Sequence, residues 1–217
     1  NNPEQILPTG VSAANLKRYY PLSDFQNSSA DSLDGLYVMD HGADKVNGLV
    51  ANCGMDLGEQ PKCPQLGLMP SASRYLSQVG DFYTITQDSD INALFASGGS
   101  ISFWVCPFST GEGTFGRLID TTNAGYGFLV ISESGGSCKL YFSHFFDGAD
   151  PVWQTTNRVL TIGQWSHIVL TYNSSDVAND PVIYVNGSSK AITESTTPTG
   201  TTEADNGNKL IGNNGVD

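Results

Sequence analysis

The segment PVIYVNG, residues 181–187, constrains the fold most, because its alternating apolar run ends in Asn186-Gly187. Both central residues of a type I′ turn need positive φ, and Asn-Gly is a preferred pair for that turn. The segment therefore predicts an antiparallel hairpin whose return strand lies in SKAIT, residues 189–193. Upstream, WSHIVLTY (165–172) has apolar residues on both alternating faces, which is typical of a central strand.

Similar runs with a period of two recur along the chain, and most are bounded by Gly, Asn, Asp, Ser or Pro. Short strands separated by such turns predict an all-β fold, a two-sheet antiparallel sandwich with very little helix. The helical turn that we expect is DSDINALFA (88–96), where Asp88 or Ser89 caps the start and Gly98 the end. The predicted strands cover residues 16–22, 47–51, 81–86, 100–106, 116–120, 126–132, 138–145, 157–162, 165–172, 181–186 and 209–212.

Length suggests one domain, because sandwiches of about 200 residues are common and this chain has 217. We expect residues 1–13 to be a leader or linker, residues 14–217 to form the domain, and residues 194–207 to be a polar loop. A net charge of −12 would repel phosphate backbones, which excludes nucleic acid as a partner. No run approaches the roughly 20 apolar residues that span a bilayer, so we expect no membrane insertion.

The four cysteines suggest at least one disulfide. Cys53 and Cys63 bracket a short polar loop that a disulfide would pin, and we predict that pair. Cys106 and Cys138 flank two predicted strands, where they either form a second bridge or stay as reduced, buried thiols.

Six pieces of this chain resemble, in the same order, the laminin G-like, concanavalin A-like lectin and glucanase superfamily. They are YYPLSD, YVMDHGADKVNGLVA, DFYTIT, SISFWVCP, GQWSHIVLTYNSS with VIYVNG, and KLIGNN, and together they cover residues 16 to 214. The resemblance implies a jelly roll of two curved sheets, in which Trp104, Trp165 and His167 occupy structural positions. It also implies an extracellular, cell-surface or virion-surface location.

The residues needed for catalysis on this fold are missing from the sequence. Its glucanases carry Glu-x-Asp-x-Glu on one strand, so that alternation aims every carboxylate into the cleft. The nearest approach here, residues 203–207, lacks the third carboxylate and lies in a polar segment. His167 has no serine or cysteine nucleophile that the sequence can assign to it. We therefore predict that the chain is not an enzyme.

The resemblance further implies a calcium site in the early aspartate loop. Carried over to this chain, that loop offers Asp40, Asp44 and Asn47, whose side-chain oxygens suit Ca²⁺. The alternative is that Asp40 and Asn47 cap a tight turn.

For sugar contact, an aromatic residue among polar neighbours at a loop tip is the pattern of interest. Trp153 in FFDGADPVWQTT fits it, with Tyr126, Phe146 and Asp150 as secondary candidates, although Trp153 can equally anchor the loop. The expected function is a non-catalytic carbohydrate-binding or adhesion module with a glycan or a surface protein as partner. The alternatives are a structural block of a surface fibre or a viral appendage, and a glycan-degrading enzyme of the same fold.

The last expectation concerns the strand that members of the family place after the segment matched by KLIGNN. The printed sequence stops at Asp217, before such a strand. We expect the resulting sheet edge to be covered by residues 1–13, by residues beyond Asp217, or by a strand donated from another copy or a partner.

Overall fold

A computed structural model describes residues 25–26, 37–38, 48–51, 82–109, 115–122, 126–203 and 205–212. The chain divides into two compact units, residues 1–86 and residues 87–217. The expected leader, residues 1–13, and the expected strand at 16–22 lie outside the described residues. The single domain over residues 14–217 stays a prediction.

The first unit contributes four antiparallel strands: β1 (Phe25–Gln26), β2 (Tyr37–Val38), β3 (Gly48–Ala51) and β4 (Phe82–Ile85). Each pairs with the next, so that Tyr37 faces Leu49 and Val50 faces Tyr83. The strands predicted at 47–51 and 81–86 are confirmed.

Within its described residues, the second unit contains one short helix and eleven strands. The helix, α1, covers Ser89–Asn92, and Asp88 caps it by accepting hydrogen bonds from the N–H groups of Asp90 and Ile91, both at 3.0 Å. The strands are β5 (Gly99–Val105), β6 (Phe115–Thr121), β7 (Tyr126–Ser134), β8 (Ser137–His144), β9 (Val152–Thr155), β10 (Leu160–Thr161), β11 (Ser166–Tyr172), β12 (Val182–Val185), β13 (Ser188–Lys190), β14 (Ile192–Thr196) and β15 (Lys209–Gly212).

These strands form two antiparallel arrays. One runs β15-β6-β7-β8-β9-β14, with β10 also paired to β8, and the other runs β13-β12-β11-β5. Asn186 and Gly187 have φ of 52° and 78°, so the predicted hairpin turn joins β12 and β13. The predicted all-β antiparallel fold is confirmed, and β11 is a central strand between β12 and β5.

The core of the second unit lies between β8 and β11. Alternation turns Cys138, Leu140 and Phe142 of β8 inward, and every second residue of β11 from Ser166 to Tyr172 is buried. Ile183 and Val185 of β12 join the same core, whereas Ile101, Phe103 and Val105 of β5 pack against its margin. Two sheets that share one apolar layer make a sandwich.

Five rings form an aromatic cluster within this core: Phe95, Phe142, His144, Trp153 and Tyr172. Tyr172 touches the other four, with ring centroids 5.2 Å from Trp153 and 5.6 Å from Phe142. Most of these contacts are tilted or edge-to-face, the arrangements that aromatic quadrupoles favour. The cluster therefore ties β8, β9 and β11 to the turn after α1.

β9 falls in a segment for which we predicted a loop, and β14 begins in the predicted return strand 189–193 and runs on into the predicted loop 194–207. β9 follows a Gly-, Asp- and Pro-rich stretch that masks its alternation, and β14 is exposed along most of its length. β14 forms because its backbone pairs with β9, from Ile192 with Thr155 to Thr196 with Val152. An exposed strand without apolar alternation gives no periodic signal in the sequence.

Cys106 is half-buried and Cys138 is fully buried, and the two do not form a disulfide with each other. Cys53 and Cys63 lie outside the described residues, and their disulfide stays a prediction. No helix in the described part of the chain is long and apolar enough to cross a membrane.

His144 gives the fold a pH dependence. The side chain is 6% exposed, and burial lowers its pKa from 6.5 to about 4. Between these values the unfolded chain binds more protons than the native one, so stability falls as the pH decreases. We expect His144 to cost on the order of 3 kcal/mol of unfolding free energy by pH 4. Urea unfolding of the wild type and of His144→Phe at pH 7 and pH 4.5 measures this, and equal pH losses in both proteins would contradict it.

Candidate functional site

A cleft of about 350 Å³ opens where β11 ends, within the second unit. It is lined by Gly98, Gly99, Thr171, Tyr172, Asn173, Asn179, Asp180 and Val182, and we call it the β11 cleft. Its size lies at the small end of the range for ligand pockets. Most of the side chains that line it carry hydrogen-bonding groups, so the cleft suits a small polar ligand.

The loop 173–180 that forms one wall is held by its own polar side chains. Asn173 Oδ1 accepts from Ser175 N at 3.0 Å, and Asp176 Oδ1 accepts from Ala178 N at 2.9 Å. Asn179 Nδ2 donates to the carbonyl of Asn173 at 3.1 Å and closes the loop. Side chains of Asn and Asp commonly replace backbone bonds in this way. The wall is therefore ordered before any ligand arrives.

A second set of bonds fixes the loop to the body of the sandwich. The N–H and the hydroxyl of Ser174 both donate to the carbonyl of Phe95, at 2.8 and 3.0 Å. On the opposite side, Gly98 has φ of +101°, and a Cβ on Gly99 would lie 1.9 Å from the carbonyl oxygen of Leu94. Only glycine fits at Gly99, so the turn after α1 can pass close to β5 and form the floor of the cleft.

Asp180 is the one carboxylate that lines the cleft, and the core positions it. Its Oδ1 accepts from Trp153 Nε1 at 2.8 Å. No other described residue hydrogen-bonds the second oxygen, Oδ2, and Asp180 is exposed. A fully buried indole therefore aims an exposed carboxylate, and one of its oxygens remains open to a ligand hydroxyl.

Tyr172 lines the cleft as a residue, and its side-chain hydroxyl is buried. Among the described residues, none forms a hydrogen bond with this hydroxyl. Burial, with added effects of the negative charges of Asp180 and Glu194, raises the pKa of Tyr172 above its ordinary value. The group thus stays a protonated donor, and a buried polar atom without a partner is uncommon in proteins.

Trp153 does not lie at a loop tip, and this part of our prediction is wrong. It is on β9, is 0% exposed, and its ring stacks on Phe142 with centroids 5.8 Å apart. The Pro and Gly residues before it signalled a loop that ends just before β9. A buried indole has no face for a sugar ring, so Trp153 acts on the cleft only through Asp180.

The secondary sugar candidates lie in and beside the turn after β8. Phe146 is buried with its ring against His144, and its N–H donates to Asp150 Oδ1 at 2.8 Å. Asp150 therefore braces the turn rather than standing free. Tyr126 begins β7, and its backbone faces His144. None of these residues lines the β11 cleft.

The expected metal ligands Asp40, Asp44 and Asn47 lie outside the described residues. Within the ranges that the structure does describe, no group of three or more His, Cys, Asp or Glu side chains could hold a metal ion. The calcium site stays a prediction.

The sequence missed one polar pair. Ser102 Oγ lies 2.9 Å from His167 Nε2, a contact that the sequence did not predict. The two residues are 65 positions apart, and only the pairing of β5 with β11 brings them together. No described residue bonds Nδ1, the atom that an orienting carboxylate holds in a catalytic triad.

The carboxylates at 203–205 also differ from a catalytic pair. Asp205 forms an ion pair with Lys209, which is 1% exposed and also donates to Thr121 and the carbonyl of Gly207. Burial lowers the pKa of Lys209, while the Asp205 carboxylate opposes that shift. This pair stabilises the approach to β15.

Comparison with known families agrees with the fold. A family model described as the concanavalin A-like lectin/glucanases superfamily matches residues 80–217. The chain belongs to this superfamily. The match begins just before β4 and includes every element of the β11 cleft. A search of curated proteins finds no match.

Several solved structures share the fold. The ligand binding domain of botulinum neurotoxin serotype D, in complex with N-acetylneuraminic acid, has a TM-score of 0.60 at 12% identity, covering 94% of this chain and 44% of that one. The receptor binding domain of mosaic serotype C/D has a TM-score of 0.55 at 14% identity, with coverages of 95% and 45%. The binding domain of serotype DC, with rat synaptotagmin II, has a TM-score of 0.51 at 16% identity, with coverages of 94% and 45%.

This superfamily member thus spans less than half the length of those neurotoxin chains. At such low identity, the similarity establishes a shared fold. The β11 cleft is therefore argued from this chain's own residues.

The Tyr172 hydroxyl yields a stability test. Because it has no hydrogen-bonding partner in the described protein, Tyr172→Phe should raise the unfolding free energy, by about 1–3 kcal/mol. Tyr184→Phe, on the half-buried opposite face, is the matched control and should stay within about 0.5 kcal/mol. Urea unfolding monitored by fluorescence measures both. A loss of stability in Tyr172→Phe would mean that the hydroxyl is already satisfied.

Proposed function

We propose that this chain is a non-catalytic carbohydrate-binding or adhesion module and that the β11 cleft is its binding site. The observation that carries the proposal is the exposed Asp180 carboxylate, which Trp153 Nε1 fixes through one oxygen at 2.8 Å while the other stays open in the cleft. Sugar hydroxyls both donate and accept, so one hydroxyl can donate to Asp180 while others bond the polar side chains beside it. Asn173, Asn179 and Thr171 add amide and hydroxyl groups around them.

The rigidity of the cleft supports binding. The loop 173–180 and Asp180 are both held by protein hydrogen bonds, so little ordering remains for a ligand to impose. Preorganised groups lose less conformational entropy on association. The sandwich supports the same proposal, since structures that share it were solved with N-acetylneuraminic acid and with rat synaptotagmin II. The partner class is accordingly a glycan or a surface protein, and the location an extracellular, cell or virion surface.

The absence of hydrolysis is also part of the proposal. Asp205 is committed to Lys209, and Glu203 is exposed, which differs from the paired carboxylates that glycoside hydrolysis needs. Ser102 and His167 lie on the same strand face, and no described group bonds Nδ1 of the imidazole, the atom that a triad carboxylate would hold. A nucleophile without an orienting group and an oxyanion site has little catalytic power.

Binding can be tested with a labelled protein on a glycan array, followed by calorimetry on the glycans that bind. Asp180→Asn keeps the shape of the side chain and an oxygen for Trp153, but it removes the charge and one acceptor. Because hydrogen bonds to charged groups contribute about 1.5–3 kcal/mol, we expect roughly a tenfold or greater loss of affinity. Val177→Ala, at an exposed position of the same loop outside the cleft lining, should bind like the wild type.

Equal affinities in the wild type and in Asp180→Asn would move the site away from the cleft. Failure of the wild type to bind any glycan on the array would overturn the carbohydrate proposal itself.

Hydrolysis can be tested with laminarin and agarose. We expect no release of reducing sugar above the level of a heat-inactivated sample, because the paired carboxylates are missing. Glu203→Gln and Ser102→Ala serve as controls and should change nothing. Sugar release that either substitution abolishes would contradict the proposal and identify the catalytic group.

A further inference from the structure

The face of the β13-β12-β11-β5 sheet that points away from the core has an unusual composition. Alternation turns Ile101, Phe103 and Val105 of β5 and Ile168, Leu170 and Tyr172 of β11 toward the core. The residues between them form the opposite face, which we call the outer face and define by Ser102, Trp104, His167, Val169, Thr171 and Tyr184. None of the outward positions of β5, β11 and β12 is Asp, Glu, Lys or Arg, although the chain carries 32 such residues, 10 basic and 22 acidic.

Trp104 belongs to this face and not to the core. It is half-buried, it is directly opposite His167 in the strand pairing, and their ring centroids are 5.1 Å apart with a 36° angle. His167 is held in turn by Ser102 and by the hairpin, because its N–H donates to Asn186 Oδ1 and its carbonyl accepts from Asn186 N, at 2.9 and 2.8 Å. Two fixed rings therefore stand on the outside of the sandwich.

A second cross-strand row of the outer face also contains an aromatic ring, and the outer face reaches the cleft. Val169 pairs with Ser102 on one side and with Tyr184 on the other, so one cross-strand row holds a hydroxyl, an apolar patch and a phenol. The next row along β11 contains Thr171 and Val182, which also line the β11 cleft. From His167 to Thr171 the strand extends about 13 Å at roughly 3.3 Å per residue. The outer face and the cleft thus form one continuous surface.

We propose that the outer face extends the β11 cleft, so that the module binds along an uncharged glycan chain of several sugar rings. This inference rests on the proposed carbohydrate function. The apolar faces of pyranose rings pack on aromatic rings, and the serine, threonine and tyrosine hydroxyls between those rings can bond sugar hydroxyls. The outward strand positions offer no cation that could pair with a carboxylated sugar. The Asp180 carboxylate at the end of the cleft would repel such a sugar. The ligand class is therefore neutral oligosaccharide rather than a terminal sialic acid.

The experiment uses neutral oligosaccharides of increasing length, from one to six sugar units, each compared with its sialylated counterpart. Calorimetry with the wild type should give an affinity that rises at least tenfold from the shortest to the longest neutral chain. Trp104→Ala should abolish this rise while leaving the binding of the shortest ligand unchanged. Asp180→Asn should weaken every length equally, because it acts at the cleft.

Two further variants keep the test decisive if Trp104→Ala is unstable. Tyr184→Ser should reduce the gain with length severalfold, and Trp104→Phe, which retains a ring, should preserve most of it. Affinity that is independent of length, or a preference for the sialylated chains, would overturn the inference and leave the cleft proposal standing. Loss of all glycan binding in the wild type would overturn both. Dimerisation that Trp104→Ala abolishes, measured by sedimentation, would reassign the outer face to contact between copies and overturn the inference.

Discussion

The aromatic cluster between the two sheets is the interaction on which both the fold and the candidate site depend. Tyr172 contacts the four other rings, and it is also the last residue of β11 and a lining residue of the cleft. Trp153, stacked in the same cluster, supplies the indole N–H that holds Asp180. A change in this packing therefore alters the position of the polar groups at the surface, because the interior is close-packed and transmits displacement.

The buried polar groups of the second unit differ in their hydrogen bonds and in their protonation. The Lys209 ammonium donates three hydrogen bonds near β15, to Asp205, Thr121 and the carbonyl of Gly207. His144 sits in the cluster as a largely neutral ring at physiological pH because burial lowers its pKa. The Tyr172 hydroxyl and Asp205 Oδ2 form no hydrogen bond with any described residue. Most buried polar groups in proteins are paired, so these two atoms are exceptions in the second unit.

The shared fold sets limits on inference from relatives. Similarity to the neurotoxin binding domains extends over at least 94% of this chain in the comparisons described above, but over less than half of theirs. Sandwich domains host many functions, and function depends on the groups that a given chain places at its surface. In this chain those groups are an acidic, preorganised cleft and an uncharged aromatic face beside it. The ligand class inferred from them is consequently different from the sialic acid named for one of the neighbours.

The sequence by itself determined the all-β class, the hairpin at Asn186-Gly187, a helical turn that starts at Asp88 or Ser89, and the central position of β11. Each of these follows from local backbone preference or from the period of apolar residues, which are properties of short segments. The site was not determined in that way. Trp153 was predicted at a loop tip, because the glycines and proline before it resemble loop signals, yet tertiary packing buries it on β9. Ser102 meets His167, and Trp153 meets Asp180, only because strands distant in sequence become neighbours in space. A single sequence contains the residues of such contacts, but the pairing register that brings them together is decided by the packing of the two sheets.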